Sequence, residues 1–434
     1  MLDIFPIITV LAQQEMLATI AIWTISTFTA LGVVFRPFRF PEFVFALSGA
    51  FALIVFQLIS AQDAWNGLQR GTDVYLFLTG MMLLSEVARR EGLFDWLAFF
   101  ALSHAKGSPK RLFLLIYIVG VVVTAFLSND ATAVVLTPAV YAACRAAKIS
   151  NPMPFLLVCA FTANAASFVL PISNPANLVV FGAGTMPSLW LWIATFSLPS
   201  IGAILATFLA LYWTQRPAIL TETLQIHQSE LKLSLNGKLA AAGLCVTSFV
   251  LLCSSAFHFD LGLPTFITGF VTMMTVLLLT KKSLSGVFKN VAWSVLPLVG
   301  GLFIVVEALE NTNLTSVIAE QLSHASLAWP DHAAALSGLA VALISNMVNN
   351  LPAGLLAGSV VQVANVPDKV AAAILIGVDL GPNLSITGSL ATILWLSALR
   401  REGVGIGAIS FFKLGTVVMF PALLLSLTVL IIAS

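Results

Sequence analysis

Charged residues are scarce in this chain of 434 residues, since only 9% are Asp, Glu, Lys or Arg. A soluble domain carries about 25% of such residues, so a soluble globular protein is excluded. The formal net charge of +1 leaves no excess of basic residues for binding nucleic acid, and we expect no nucleic-acid partner. Hydrophobic residues make up 59% of the chain, with a mean hydropathy of +1.00. Apolar runs long enough to span a bilayer recur throughout, which predicts an all-α polytopic membrane protein.

Cysteine and histidine are also rare. The four cysteines stand singly in apolar segments, without a C-x-x-C pair or a Cys/His cluster, which argues against a zinc site. We interpret them as small buried hydrophobes, with a thiolate relay for a soft metal as the alternative. They are Cys144, Cys159, Cys245 and Cys253. None of the five histidines lies in a polar cluster, so an enzyme with a nucleophile–base pair or a metal triad is disfavoured and no cofactor is expected.

An Asn-rich signature occurs once in each half of the chain, at the end of a long apolar run. The copies are Ser128-Asn129-Asp130-Ala131-Thr132 and Ser345-Asn346-Met347-Val348-Asn349-Asn350. Carboxylates and carboxamides are costly in hydrocarbon, so they should face the protein interior or a water-filled cavity. Two such clusters at matching places predict one central site shared by two repeats, as in a transporter.

The apolar pattern predicts ten transmembrane helices, two re-entrant hairpins and two broken helices. Ser128-Asn129-Asp130 joins two apolar arms whose outer ends are both basic, so both ends belong on one face of the membrane and the signature lies at a hairpin tip. The start Met1-Leu2-Asp3 lacks the basic region of a signal peptide, so we expect the first apolar stretch to belong to the mature protein. In the first half, helices are expected near 16–35, 43–60, 73–89 and 189–213, with an interfacial helix at Leu93–His104, a hairpin near 111–146 and a broken helix near 152–184.

The second half repeats this plan. Helices are expected near 238–256, 264–280, 290–309 and 406–432, with an amphipathic piece at 314–328, a hairpin at 333–364 and a broken helix at 369–398. Gly80, Glu86 and Leu93 align with Gly301, Glu307 and Leu314 at a constant offset of 221. We therefore expect repeats at 1–213 and 238–434, joined by a cytoplasmic linker at 214–237 that contains Glu222, His227, Glu230 and Lys232.

The positive charges orient this arrangement. With these spans, 18 of the 20 Lys and Arg residues fall on one face, and the exceptions are Arg70 and Lys369. The positive-inside rule makes the crowded face cytoplasmic and places both termini outside. The first repeat then starts outside and the second inside. Inverted-topology repeats of this kind favour alternating access to a site at the membrane midplane.

The two tips and the two helix breaks supply the candidate site. The first break is expected at Pro171–Asn177 and the second at Gly377–Asn383, where proline and glycine free backbone groups for binding. Carboxamides, hydroxyls and backbone groups can replace the hydration shell of a small polar solute or ion. The candidate substrate-binding residues are Asn129, Thr132, Ser173, Asn174, Asn177, Asn346, Asn349, Asn350, Gly381, Asn383 and Ser385. No Arg or Lys occurs in these clusters, which favours a neutral or weakly charged solute.

Asp130 and Asp379 are the carboxylates of these clusters, one in each half. With no cation beside it in the sequence, either group can exchange a proton, and we assign both as proton-coupling residues. The alternative is that each accepts backbone N–H bonds and holds its tip or break in shape. Glu86 is explained more simply by a helix-surface ion pair with Arg89 or Arg90, and Glu307 by solvent access near Glu310.

These motifs resemble those of the ArsB-type arsenical pump membrane proteins of the ion transporter superfamily. The most specific stretches are Ile376-Gly377-Val378-Asp379-Leu380-Gly381-Pro382 and Thr387–Leu396, and the two tips followed by Pro138 and Pro352 look like that family's paired hairpin tips. The resemblance implies a secondary transporter in a bacterial inner membrane. It would export arsenite and antimonite, as neutral trihydroxides, in exchange for inward protons, and would have an optional soluble arsenite-stimulated ATPase partner.

Two alternatives remain open. The first break, Ser173-Asn174-Pro175-Ala176-Asn177, is similar to the Ser-Asn pattern of superfamily members that move carboxylates or sodium. A sodium- or proton-coupled carboxylate or cation transporter is therefore the second hypothesis. A membrane-embedded enzyme or a channel is the third, although a channel does not require inverted repeats with broken helices.

Overall fold

Serine residues start many of the helices. In the computed structural model, which describes residues 4–182, 185–225, 232–281 and 283–433, the regular secondary structure of these ranges is entirely helical. Ser60, Ser108, Ser188 and Ser234 each accept a hydrogen bond from a backbone N–H of the first helical turn. A serine N-cap satisfies one of the backbone donors that a helix leaves free at its start. The apolar runs thus become helices whose beginnings are marked by short polar residues.

The first half of the chain contains eleven helices within the described residues. They are α1 (Ile4–Phe35), α2 (Glu42–Val55), α3 (Ala61–Arg70), α4 (Thr72–Arg90), α5 (Leu93–His104), α6 (Pro109–Phe126), α7 (Asn129–Ala131), α8 (Thr137–Ala146), α9 (Met153–Ala165), α10 (Pro175–Phe181) and α11 (Leu189–Thr221). A π-helical turn, Thr132–Leu136, joins α7 to α8. The short amphipathic α3 lies in a segment that the sequence analysis left without a helix.

The second half contains ten helices within the described residues. They are α12 (Leu235–Ala256), α13 (Gly262–Thr280), α14 (Leu284–Phe288), α15 (Val295–Glu310), α16 (Asn313–Ala328), α17 (Pro330–Val348), α18 (Asn350–Ala364), α19 (Asp368–Leu380), α20 (Leu390–Arg401) and α21 (Ala408–Ala433). The first residues of α6 and α17, 109 and 330, are 221 apart, and so are those of α7 and α18, 129 and 350. The offset seen in the sequence therefore recurs in the boundaries of the helices.

The two halves pack against each other reciprocally. Helix α4 packs against α13, and its counterpart α15 packs against α2. At the first crossing, a Cβ atom added to Gly80 would lie 2.3 Å from the carbonyl oxygen of Thr265, and one added to Gly269 would lie 2.5 Å from the carbonyl oxygen of Gly80. Such distances are too short for any side chain, so glycine allows these backbones to touch. Reciprocal pairing of this kind is what a two-fold relation between the halves produces.

Each predicted hairpin contains two helical arms, and the turn of the second lies four residues after its Ser-Asn pair, at the end of the signature Ser345–Asn350. Leu127 and Ser128 separate α6 from α7, whereas Ser345 and Asn346 lie inside α17. The chain turns instead at Asn349, whose φ of 76° interrupts the helix. Asparagine adopts positive φ more readily than most residues because its short polar side chain can bond locally. The structural counterpart of Ser128-Asn129 is therefore Asn349-Asn350.

Each break also differs from its predicted position. The first irregular stretch begins at Ala166, after α9, and ends at Asn174, so Asn177 lies within α10. Pro175 is the first residue of α10, a position where its missing N–H costs nothing, and Asn174 caps that helix. In the second half, α19 continues through Gly377 and Asp379 to Leu380, and the break covers residues 381–389, beginning with the 3-10 turn Gly381–Leu384.

The predicted linker is partly helical, because α11 continues to Thr221. Both carboxylate oxygens of Glu222 accept hydrogen bonds, from the backbone N–H groups of Ser150 (2.8 Å) and Asn151 (2.9 Å), at the start of the first broken helix. His227 and Glu230 of the linker, and Lys282 of the charge count, lie outside the described residues.

Within the described ranges, seven helices are long and apolar enough to cross a membrane. The number becomes eight if the bent pair Val295–Glu310 and Thr315–Ala328 counts as one span. Together with the hairpins and broken helices, this confirms the predicted class of an all-α polytopic membrane protein.

Candidate functional site

The first hairpin tip is held by hydroxyl and carboxamide groups from its own two arms. Ser128 Oγ accepts a hydrogen bond from the N–H of Ala131 (3.2 Å), and Asn129 Oδ1 accepts one from the N–H of Asp130 (2.9 Å). Behind the tip, the hydroxyls of Thr124 and Thr132 are 2.8 Å apart and join the two arms. Thr132, predicted to bind substrate, is therefore occupied in holding the arms together.

The second tip is bonded to the second helix break. The N–H of Asn350 donates to the carbonyl of Gly388 (2.9 Å), and Asn349 Nδ2 donates to the carbonyl of Thr387 (3.2 Å). Asn350 is buried, and its Oδ1 has no hydrogen-bond partner among the residues described. A buried polar oxygen without a partner is costly, so this carboxamide is available to a ligand.

Asn346 and Ser385 pair with each other away from the tip. Asn346 Nδ2 donates to the carbonyls of Ala342 (2.8 Å) and Gly381 (2.9 Å), and Ser385 Oγ donates to Asn346 Oδ1 (2.7 Å). A Cβ atom added to Gly381 would lie 2.4 Å from the carbonyl oxygen of Ala342, so this glycine allows the break to touch α17. These three predicted site residues connect the second break to the second hairpin.

The polar groups of the first break bond mainly to backbone. Ser173 Oγ donates to the carbonyl of Ala125 (2.9 Å) in the first hairpin. Asn177 Nδ2 donates to the carbonyls of Ser167 (3.0 Å) and Pro171 (3.2 Å), which closes the irregular stretch over the start of α10. Ser173 and Asn177 thus satisfy the backbone groups that the break leaves free.

Hydrogen bonds between side chains connect the broken helices of the two halves. Asn174 Nδ2 donates to Asp379 Oδ1 (2.7 Å), and Asn164 Nδ2 donates to Asn383 Oδ1 (3.0 Å). Asp379 is completely buried, and its Oδ2 finds no partner in the described part of the chain. Asn164 was missed by the sequence analysis because it lies in a helix before the break, where the sequence gives no sign that it faces the other half.

Four of the predicted residues come together around a narrow gap of about 10 Å³ between the halves. Asn129 and Asp130 come from the first tip, Asn174 from the first break and Asn350 from the second tip. They meet because α10 packs against α18, while α20 packs against the second arm of the first hairpin. Asp379 joins this group through Asn174. The remaining predicted residues lie behind it as supporting contacts.

A larger cavity of about 390 Å³, which we call the vestibule, leads to Asp130. It lies between α4, α5, the first hairpin and the start of α15, and its walls include Ser85, Glu86, Arg89, Asp95, Asn290 and Arg401. Asp130 lines both the vestibule and the narrow gap. The candidate site is therefore open to one side, where Arg89 and Arg401 lie on the cavity wall.

The vestibule contains charges that the sequence analysis did not assign to the site. Glu86 is buried and receives two hydrogen bonds from the guanidinium of Arg89, each of 2.7 Å. The expected ion pair on the helix surface thus forms with Arg89 and lies on the vestibule wall. Arg401 ends α20 at the edge of the same cavity. The sequence did offer one signal for these charges, namely the basic residues in the last turns of α4 and α20.

Metal chemistry gains no support from the side chains. Among the described residues, no group of three or more His, Cys, Asp or Glu side chains is placed to hold a metal ion. Cys144 and Cys159 are buried, Cys245 is exposed and Cys253 is half-buried. None of the four lines the vestibule or the narrow gap of the described structure.

The chain matches a known protein family over most of its length. Residues 30–382, which include both hairpin tips and Asp379, match the citrate transporter family. The chain belongs to that family. This citrate transporter family member is accordingly a membrane transporter rather than an enzyme, as the sequence predicts.

Curated relatives support the more specific resemblance. The family member is 25% identical to an arsenical pump membrane protein of Escherichia coli over 392 residues, which cover 88% of this chain and 90% of that protein. It is 26% identical to the arsenical pump membrane protein of E. coli K12, covering 89% and 92%. It is also 27% identical to an uncharacterized transporter of Mycobacterium bovis, covering 91% and 94%. The resemblance drawn from the motifs is confirmed.

Solved structures share the fold. The Alcanivorax borkumensis YdaH transporter has a TM-score of 0.54 at 16% identity, covering 86% of this family member and 89% of that chain. MtrF of Neisseria gonorrhoeae, described with a class of antimetabolite efflux pumps, has a TM-score of 0.54 at 14% identity, covering 86% and 83%. At these identities the likeness shows that the fold is that of a membrane transporter.

Proposed function

We propose that this transporter exports arsenite and antimonite from the cytoplasm, as neutral trihydroxides, in exchange for protons that move inward. The observation that carries this proposal is the position of Asp130 at the meeting point of the vestibule and the Asn-lined gap. No Lys or Arg of the described chain lines that gap. A trihydroxide needs hydrogen-bond donors and acceptors but no fixed counter-charge, and Asn129, Asn174 and Asn350 offer both.

Proton coupling follows from the same group of residues. Asp130 faces the cavity, while Asp379 is buried and linked to the gap through Asn174. Protonation of a carboxylate removes its charge and turns one acceptor oxygen into a donor, which changes how Asn174 and a bound hydroxyl can bond. In this proposal, substrate and proton therefore compete for one set of partners, and release of one favours binding of the other.

We place the protein in the inner membrane of a bacterium, with the vestibule facing the cytoplasm and both termini outside. Arg89 and Arg401 line the vestibule, and they belong to the crowded basic face that the positive-inside rule makes cytoplasmic. The conformation is then the inward-open state of an alternating-access cycle. The optional soluble ATPase would bind on this face.

A second candidate is the transport of carboxylates coupled to sodium or protons. It is favoured by the citrate transporter family match and by Arg89 and Arg401 on the vestibule wall, since guanidinium groups bind carboxylates well. However, Arg89 is already engaged by Glu86 through two hydrogen bonds, and neither arginine reaches the described lining of the Asn-lined gap.

A flux assay separates the two functions. Everted membrane vesicles that contain the protein should accumulate trivalent arsenic when their lumen is made acidic, because protons leaving the lumen drive arsenite in. Matched vesicles should be given radiolabelled citrate, with and without a sodium gradient. Accumulation of citrate without arsenic uptake would overturn the arsenite proposal. Vesicles without the protein provide the background, and the absence of any added ATPase tests whether the chain works alone.

A further inference from the structure

A second large cavity, of about 480 Å³, lies on the other side of the second hairpin. We call it the apolar crevice. It is bordered by α1, α15, α16, α19 and the hairpin arms α17 and α18, and residues that line it include Trp23, Val306, Ile318, Ala340, Ile344 and Leu356. The few polar residues on its described wall are serines and threonines, and Ser26 Oγ finds no hydrogen-bond partner within the described structure. The wall of the crevice is therefore almost entirely apolar.

The crevice occupies the position in the second half that the vestibule occupies in the first. Five vestibule residues have crevice residues as counterparts at the offset of 221. The pairs are Met81 and Leu302, Ser85 and Val306, Ala131 and Pro352, Val135 and Leu356, and Ala139 and Val360. The second hairpin and α15 therefore form a cleft of the same construction, but its walls are apolar.

We propose that the apolar crevice is a binding site for an acyl chain of a membrane phospholipid. The crevice opens onto the exposed apolar surface of α17, because Ile344 lines it and is 44% exposed, and Met347 on the same helix is 68% exposed. Because the crevice is open to its surroundings, it is filled by whatever surrounds the helices, and its apolar wall disfavours water. Hydrocarbon from the surrounding bilayer satisfies both conditions.

The polar ligands of the protein fit the crevice poorly. The wall residues in the described structure carry no charged side chain, so a phosphate or carboxylate headgroup would lose its hydration without compensation. A small trihydroxide would meet at most scattered hydroxyls there. The site therefore takes the chain of a lipid and leaves its headgroup at the membrane surface. This binding requires no transported substrate, so its test is independent of arsenite export.

The test uses the full-length protein reconstituted in vesicles of phosphatidylethanolamine and phosphatidylglycerol. A small fraction of the lipid carries a photoactivatable diazirine on one acyl chain, and mass spectrometry maps the labelled residues. Ala340 lines the crevice, and Leu336, one turn earlier on α17, is 66% exposed and lies outside it. Ala340→Phe should reduce the labelling of Val306 and Leu356 severalfold, whereas Leu336→Phe should leave it unchanged.

A second readout covers the case in which a filled crevice disturbs folding. Added phospholipid should raise the Tm of the wild type and of Leu336→Phe more than that of Ala340→Phe, because a ligand that binds only the folded protein stabilises it. Ala357→Leu, a smaller filling change at another crevice residue, should give an intermediate result. Labelling of Val306 and Leu356 no stronger than that of the outer face of α17, or equal labelling in both phenylalanine variants, would overturn the proposal.

Discussion

The vestibule and the apolar crevice are built from equivalent elements but offer opposite chemistry. Ser85 in the vestibule corresponds to Val306 in the crevice, and Asp130 at the first tip corresponds to Leu351 at the second. Burying polar groups is costly unless water or partners satisfy them, whereas apolar walls exclude water. This fold therefore repeats its backbone but not its chemistry. Within the described residues, the first half lines the polar, water-compatible route to the site, whereas the equivalent cleft of the second half is apolar.

The ionic groups at the ends of α4 and α15 extend the comparison. In α4, Glu86 pairs with Arg89 on the same helix. In α15, the counterparts are Glu307 and Glu310, so the cation comes from another element. Arg70 of α3 lies 2.9 Å from Glu307 and 2.5 Å from Glu310. Ser359 of α18 also donates a hydrogen bond to Glu310. The second hairpin is thus tied to α15, while no comparable bond within the described structure ties the first hairpin to α4.

The largest expected effect on transport comes from changing Asp130 at the first tip, whose counterpart at the second tip is Leu351. Asp130→Asn keeps the size of the side chain but removes its ability to gain and lose a proton. We expect it to abolish arsenite uptake driven by a proton gradient in everted vesicles. Asp95→Asn, the same change at another vestibule residue, should retain most of the uptake. Full uptake by Asp130→Asn, at an equal amount of protein in the membrane, would remove this residue from the coupling mechanism.

The helices and hairpins could be predicted because hydrophobic run length and basic flanks record which segments cross a membrane. Helix α3 was missed because its ten residues are largely polar and too short to stand out. The second tip was predicted across Ser345–Asn350, and the turn lies at the end of this stretch because the backbone of Asn349, and not the Ser-Asn pair, interrupts the helix. The first break was predicted to extend to Asn177, but it ends before Pro175, because proline is also favoured in the first turn of a helix.

The contacts in the site between residues that are far apart in the chain could not be predicted from one sequence. Asn174 and Asp379 are 205 residues apart, and Asn164 and Asn383 are 219 apart. Which carboxamide meets which carboxylate depends on how the halves dock, and local patterns carry no record of that. The lining of a cavity is likewise a property of packing, which is why Arg89 and Arg401 entered the site only with the structure.

A smaller effect is expected from making the first break resemble the second. Helix α10 is capped by Asn174, and α20 is capped by Ser389. Asn174→Ser keeps a capping oxygen but removes the donor to Asp379 Oδ1. Since a hydrogen bond to a charged group is worth about 1.5–3 kcal/mol, the uptake rate should fall roughly tenfold or more if this bond supports transport.

The matched control for this change is Asn290→Ser. Asn290 lines the vestibule and is exposed, and within the described structure its side chain donates only to the carbonyl of Gly286, so its loss should leave uptake near the wild-type rate. Equal uptake rates in Asn174→Ser and Asn290→Ser would show that the bond between the halves has no part in transport.

The smallest expected effect concerns the bond between Ser359 and Glu310, which holds the second hairpin to α15 while the vestibule is open. Ser359→Ala should lower the population of this conformation. Because Glu310 keeps its ion pair with Arg70 and is partly exposed, losing the bond from Ser359 should cost only about 1 kcal/mol, which is roughly a fivefold change in an equilibrium. The readout is a cysteine at Ser85, which lines the vestibule, in a background without the native cysteines. Its labelling by a water-soluble maleimide should slow severalfold.

The matched control is Ser397→Ala, which removes only a bond to the carbonyl of Ile393 in its own helix and should not slow this labelling. Faster labelling in Ser359→Ala would mean that the bond opposes the open vestibule instead of supporting it.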